Sequence, residues 1–197
     1  DRFGFRYHID GTDPTVWSAN EIPASQSALN IGKGMADDHL NVAVASDGTL
    51  YAAVKTSYDS SSQTKIGLLV RRPDGTWDNL YHVDSSGTRP IVVLNESAGR
   101  LLVAYTESES GGDILYREST IDQISFGSQG TLLSGSLNNP TSTKQNFTDE
   151  VVILASGGSR AAGVLFSFED LVVNQAPQVT AGSDFSITLD QTAILAG

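Results

Sequence analysis

With 197 residues the chain suits one domain plus a fragment, or two small domains. Its 39% hydrophobic and 18% charged content is ordinary for a soluble globular protein, and no window approaches the roughly 18 apolar residues of a membrane span. The formal charge of −11 argues against a phosphate-backbone partner, so no nucleic acid is expected, and the lack of cysteine excludes disulfide staples and thiolate chemistry.

Helical periodicity is nearly absent. Short runs rich in Val, Ile, Leu, Tyr and Thr alternate with Gly, Asp, Asn and Ser, which predicts an all-β chain. Residues 3–23 place Phe5-Arg6, a polar turn and then Trp17 in a first hairpin. Residues 41–57, "NVAVASDGTLYAAVKTS", form a hairpin of another type about Asp47-Gly48, a pair suited to positive φ. Residues 66–83 return to the first type, with Val70-Arg71, a Pro-Asp-Gly turn and a strand opening at Trp77. Residues 89–108 repeat the plan of 41–57, with Gly99 in the turn. Residues 113–133 carry Tyr116-Arg117, a turn and then Phe126, and residues 149–168 turn at Gly157-Gly158.

Two hairpin types thus alternate. Joining each 41–57-type hairpin to the one after it gives antiparallel units of four strands, the plan and period of a β-propeller blade. The fold expected is a partial β-propeller spanning 1–172: half a blade, two full blades at about 38–86 and 88–136, and the inner half of a third. A β-sandwich is the structural rival, and the alternation of hairpin types favours the propeller. Such an open arc of about three blades leaves two unpaired edges, so self-association into a homo-oligomer is expected. Arg6, Arg71 and Arg117 recur at one blade position, which points to a structural role. Trp17, Trp77 and Phe126 are expected in the blade core.

The turn "RRPDGTW" (71–77), keeping Asp74, Gly75 and Trp77, resembles a degenerate Asp-box of sialidase-like (BNR-repeat) propellers. "DDHLN" (37–41) is similar to an Asp-Asp-His-Asn stretch of BNR-type propellers, which include polysaccharide lyases with a catalytic histidine. Residues 173–197 are read as a linker and the truncated start of a second domain. There "NQAPQVTAGSD" (174–184) resembles the opening of a PKD-type immunoglobulin-like domain. The resemblance implies a piece of a modular, secreted or cell-surface protein that acts on or binds polysaccharide, as a glycoside hydrolase or a polysaccharide lyase. Of the three arginines that sialidases place on a substrate carboxylate, Arg89 alone is matched by position, and no Tyr–Glu nucleophile pair is assigned. The alternative is a non-catalytic propeller for adhesion or protein scaffolding.

In a propeller, loops entering the first strand of each blade meet at one end of the central channel. The segments so placed are Asp37-Asp38-His39, Thr88-Arg89-Pro90 and Thr148-Asp149-Glu150, with Lys33 and Lys144 on the loops leading in. The candidate catalytic residues are therefore His39, Asp38, Asp149 and Glu150, and the candidate substrate-binding residues are Arg89, Asp37, Lys33 and Lys144. An imidazole can exchange a proton near neutral pH. Arginine can hold a sugar carboxylate. Two carboxylates can hydrolyse a glycosidic bond. Against these stand plainer roles: Asp37 and Asp38 capping turn amides, His39 satisfied at a strand edge, Arg89 paired with an inner carboxylate, and Asp149 and Glu150 solvated. No cofactor is expected. Asp37, Asp38 and Asn41 are the oxygen donors a Ca²⁺ would use, without the Asp-x-Asp-x-Asp-Gly spacing of a calcium loop.

Overall fold

Ten antiparallel strands and no helix make up the described residues, 1–147 and 149–168 of this computed structural model. The expected PKD-type segment at 173–197 lies outside them. Strands β1 (Leu40–Val44), β2 (Leu50–Lys55), β3 (Ile66–Arg71) and β4 (Tyr81–Asp84) form a four-stranded sheet in sequence order. Strands β5 (Thr88–Asn95), β6 (Arg100–Thr106), β7 (Gly112–Thr120), β8 (Gly130–Thr141), β9 (Glu150–Gly157) and β10 (Arg160–Ser167) form a second, six-stranded sheet, also in sequence order.

The turns explain why neighbours in sequence pair. At two of them the chain reads Asp-Gly-Thr. The Asp47 carboxylate accepts the Thr49 amide at 2.8 Å, and Asp74 accepts that of Thr76 at 2.9 Å. Gly48 and Gly75 take φ of 90° and 91°, a left-handed backbone that a β-carbon would strain.

Side-chain alternation then stacks the layers. Tyr51, Ala53, Leu68 and Val70 point from the first sheet onto Val92, Leu94, Leu101, Val103 and Tyr105 of the second, and this shared layer is the main core. The opposite face of β5–β7, carrying Ile91, Val93, Leu102, Ala104 and Ile114, packs on Val151, Ile153 and Ala155 of β9. The opposite face of the first sheet, with Ala52, Val54 and Leu69, is covered by Ala24 and Met35 from the N-terminal segment. The face-to-face layers are consistent with a partial propeller-like arrangement.

Partly buried ion pairs pin the layers together. The Tyr105 hydroxyl donates to Asp84 Oδ2 at 2.7 Å, and Arg117 reaches the same oxygen at 3.0–3.1 Å. Gln129 donates to both Asp84 and Tyr105. Arg71 makes two 2.7 Å hydrogen bonds to Glu21, which also accepts the Trp77 indole N–H. Arg71 and Arg117 thus serve the fold, as their repetition suggested, whereas Arg6 is exposed.

Several expectations are corrected. The N-terminal hairpin reduces to one bridge, Phe5 with Glu21, and the apolar residues nearest its turn, Ile9 and Val16, are left 61% and 60% exposed. Trp17 is 56% exposed rather than in the core. The strand expected from Trp77 begins at Tyr81, and that expected from Phe126 begins at Gly130. Most consequential, β8 runs on to Thr141 and pairs with β9, at Asn138 with Ser156 and Thr141 with Leu154. The last hairpin therefore joins the second sheet instead of opening a separate third one.

The Asp84–Tyr105 contact gives a stability test. Burial, reinforced by the Asp84 hydrogen bond, pushes the Tyr105 phenol up to about 12. A raised value means stability that is complete below about pH 10 and declines as pH rises from there through 12. In urea unfolding at neutral pH, Tyr105→Phe is expected to cost about 1.5–3 kcal/mol, the range for a hydrogen bond to a charged group. The variant should also lose the wild type's Tyr105-linked decline above pH 10.

Candidate functional site

β1 and β5 lie side by side and run the same way. At one end the Val92 amide donates to Asn41 Oδ1 at 3.3 Å. At the other, Asn146 donates to both Val44 O and Glu96, and Glu96 also accepts the Ser46 amide. The segments entering the two strands consequently meet. Asp38, His39, Asn41, Arg89, Ile91 and Asn139 line one open groove of about 230 Å³ there.

On its β1 side, His39 is half-buried, and its backbone carbonyl accepts the Lys55 amide at 3.0 Å. Its Nδ1 lies 3.1 Å from Asp37 Oδ1 and 2.6 Å from Asp38 Oδ1. Both contacts are to Nδ1, so they orient the ring and leave Nε2 for other partners. The two aspartates differ in surroundings: the Asp37 side chain is 15% exposed and that of Asp38 84%. Asp37 also accepts the Ser57 hydroxyl at 3.1 Å, and the Lys55 ammonium lies 3.5 Å from its Oδ2. Burial pushes the Asp37 carboxyl up, but contacts from Asp38, His39, Lys55 and Ser57 outweigh it and hold the group well below the usual carboxylate range. Asp37 is an anion that orients a histidine.

On the β5 side, Arg89 stands at a bulge between Thr88 and Ile91 with φ of 52°. A left-handed backbone on a residue that precedes proline is doubly disfavoured. Asn139, before Pro140 across the groove, repeats it with φ of 53°. Strain of this kind persists only where the surrounding structure holds it, and it clusters at functional sites.

A line of alternating charge joins the two sides. Lys55, with its side chain 10% exposed, contacts Asp37 and makes a very short contact to Glu109 Oε1. Glu109 Oε2 accepts the Thr88 hydroxyl at 3.2 Å and lies 3.5 Å from Arg89. Burial pulls the Lys55 ammonium down, yet Glu109 and Asp37 more than offset this and leave it raised.

The structure thus brings together four of the expected residues, Asp37, Asp38, His39 and Arg89. It does not bring the rest. Asp149 and Glu150 line a different groove with Asn95 and Ser97, at the far end of β5. The Phe147 amide donates to Leu94 O there, so β9 starts where β5 ends and runs against it. Parallel entry of all three strands was the premise that placed Asp149 and Glu150 at the shared site, and β9 breaks it. Lys144 is exposed on the loop leading to that far end. Lys33 is exposed, its amide donating to Ser57 O, and it is not among the residues that line the groove. Lys55, Glu109 and Asn139 were not foreseen. Lys55 closes an apolar strand run and Glu109 sits in a polar loop, and neither context marks a site.

One ligand atom each from Asp37, Asp38 and His39 lies within 4.8 Å of the others, near enough to hold a cation. The set suits Ca²⁺ poorly. That ion takes six to eight oxygens, one donor here is a ring nitrogen, and Lys55 already neutralises Asp37. Asn41, the third expected oxygen donor, turns its Oδ1 to the Val92 amide.

No protein-family model matches the chain, and no curated protein matches it. Among solved structures it is similar to an α-L-arabinofuranosidase from Fusarium graminearum in complex with an iminosugar inhibitor. Identity is 12% and the TM-score 0.41, over 68% of this chain and 41% of that one, so the chain spans less than half the length of that protein.

The low position of Asp37 predicts acid sensitivity. A depressed carboxyl contributes stability that is present above its ordinary value of about 3.9 and lost as pH falls below it. Unfolding measured from pH 6 to pH 2.5 should show Asp37→Asn with a shallower acid loss than the wild type. Equal slopes for the two proteins would contradict the assignment.

Proposed function

We propose that the chain is a carbohydrate-active module, a sialidase-like propeller fragment of a secreted or cell-surface protein, and that it takes an acidic polysaccharide in the groove between β1 and β5. One observation carries the reading: an imidazole held through Nδ1 by two aspartates shares a groove with an arginine on a strained backbone. His39 Nε2 is the base, and Arg89 binds the carboxylate of a uronate unit.

Of the two chemistries open to such a module, the geometry favours elimination over hydrolysis. Hydrolysis needs two carboxylates across the glycosidic bond, one of them protonated. Asp37 is held ionised, Asp38 is spent on His39, and Asp149 and Glu150 stand at the other end of β5. In elimination His39 removes the proton beside the uronate carboxylate while Arg89 offsets the charge developing there. A C=C bond forms, the C–O bond breaks, and the imidazolium returns its proton to the leaving oxygen.

A second reading keeps some support. Leu40, Val42 and Val44 on β1 are 56%, 40% and 51% exposed, an apolar stripe suited to a non-catalytic scaffold or adhesive module. Incubation with polygalacturonate, alginate and a sialylated polymer separates the two, with unsaturated product followed by ultraviolet absorbance. The expected result is turnover of a uronate polymer that falls by about 10²–10⁴-fold in His39→Ala, with weaker polymer binding in Arg89→Ala. No turnover, with binding indifferent to both substitutions, would leave the scaffold.

A further inference from the structure

We propose that Lys55 is a positioning residue that claims Glu109 and thereby leaves Arg89 available to an anionic ligand. This rests on the reading of Arg89 as the carboxylate-binding group.

Among the described residues, the polar contacts of Arg89 run to Glu109 alone, and both are long. The guanidinium is 3.5 Å from the Glu109 carboxylate and 3.5 Å from its backbone carbonyl. These are the outer limit of a hydrogen bond, well beyond the 2.7–2.9 Å of a charge-assisted pair. Other arginines that pair with a carboxylate do so closely: Arg71 on Glu21 at 2.7 Å twice, Arg72 on Asp78 at 2.5 Å and Arg100 on Glu118 at 2.5 Å. Of the described arginines that stand beside a carboxylate, Arg89 alone comes no closer than 3.5 Å.

Glu109 stays back because Lys55 holds its other oxygen in a very short contact, and the Thr88 hydroxyl holds the near one at 3.2 Å. Lys55 is itself fixed. Its amide donates to the His39 carbonyl, its side chain is 10% exposed, and Asp37 is its second anion. An ammonium in that position is costly to desolvate, and an apolar side chain of equal length would serve the strand as well or better. The charge makes sense as a competitor for Glu109. Without it, the Glu109 side chain, 59% exposed and free to turn, would close on Arg89 as a bidentate pair.

The variants are Lys55→Met, Glu109→Gln and the two combined, each checked for a wild-type circular dichroism spectrum. The first readout needs no ligand: the rate of phenylglyoxal modification at Arg89, resolved by peptide mass spectrometry, with the exposed Arg6 as internal reference. Lys55→Met should slow modification of Arg89 by roughly two- to fivefold, the scale of one added ion pair. Adding Glu109→Gln should restore the rate. A structural role for Lys55 alone predicts an unchanged or faster rate at Arg89 and no rescue, and that pattern would overturn the proposal. The second readout is affinity for polygalacturonate, expected to fall in Lys55→Met and to recover in the double variant. A wild type that binds no polygalacturonate while the modification pattern holds would refute the uronate reading and leave the Lys55 assignment standing.

Discussion

One apolar layer, shared by the inner faces of two antiparallel sheets, fixes everything else in this chain. Tyr51, Ala53, Leu68 and Val70 meet Val92, Leu94, Leu101 and Val103, and most of these are wholly buried. Because side chains alternate along a strand, a slip of one residue in β1 or β5 would turn this layer outward. The register is therefore held strongly, and with it the direction of β1 against β5. Two loops nearly fifty residues apart in sequence open at the same place as a result.

Charge is then distributed according to where water can reach. Deep in the stack, Asp84 collects a phenol, a guanidinium and an amide, so no polar atom of that knot is stranded. At the open end the pattern is different. Histidine, aspartate, lysine, glutamate and arginine follow one another across the two sheets. With Lys55 and Asp37 mostly buried, the cost of desolvation offsets much of what such pairs contribute to stability. What they do here is orient: Asp37 turns an imidazole, and Lys55 decides which cation Glu109 neutralises.

Much of this was legible from residue order. Two-residue periodicity, punctuated by Asp-Gly and Gly-Gly turns, marks the hairpins because local chemistry sets them, and the strands 40–55, 88–106 and 150–167 fall where that pattern puts them. The meeting of His39 with Arg89 follows from two like-directed strands. What failed was non-local. Phe126 and Trp77 look like strand openers, but both sit before their strands. The over-long β8 could not be seen, because its last residues, Ser136 to Thr141, carry a polar, Pro-containing sequence that only pairing with β9 makes extended. That pairing reverses β9 and carries Asp149 and Glu150 away from the groove. Lys55 and Glu109 carry no sequence signal for a related reason: their significance lies in partners that sequence spacing does not connect.

The site depends on direction: β1 and β5 run together, and β9 runs against them. The chain has no cysteine, so paired spin labels can be placed cleanly. Electron–electron dipolar spectroscopy on Asp38→Cys with Asn139→Cys, and on Asp38→Cys with Asp149→Cys, tests it most directly. The first pair should lie across one groove, and the second should be farther apart by about the length of β5, on the order of 25 Å for eight residues. Two similarly short distances would mean that all three strands enter at one end, and the account of the site would be wrong.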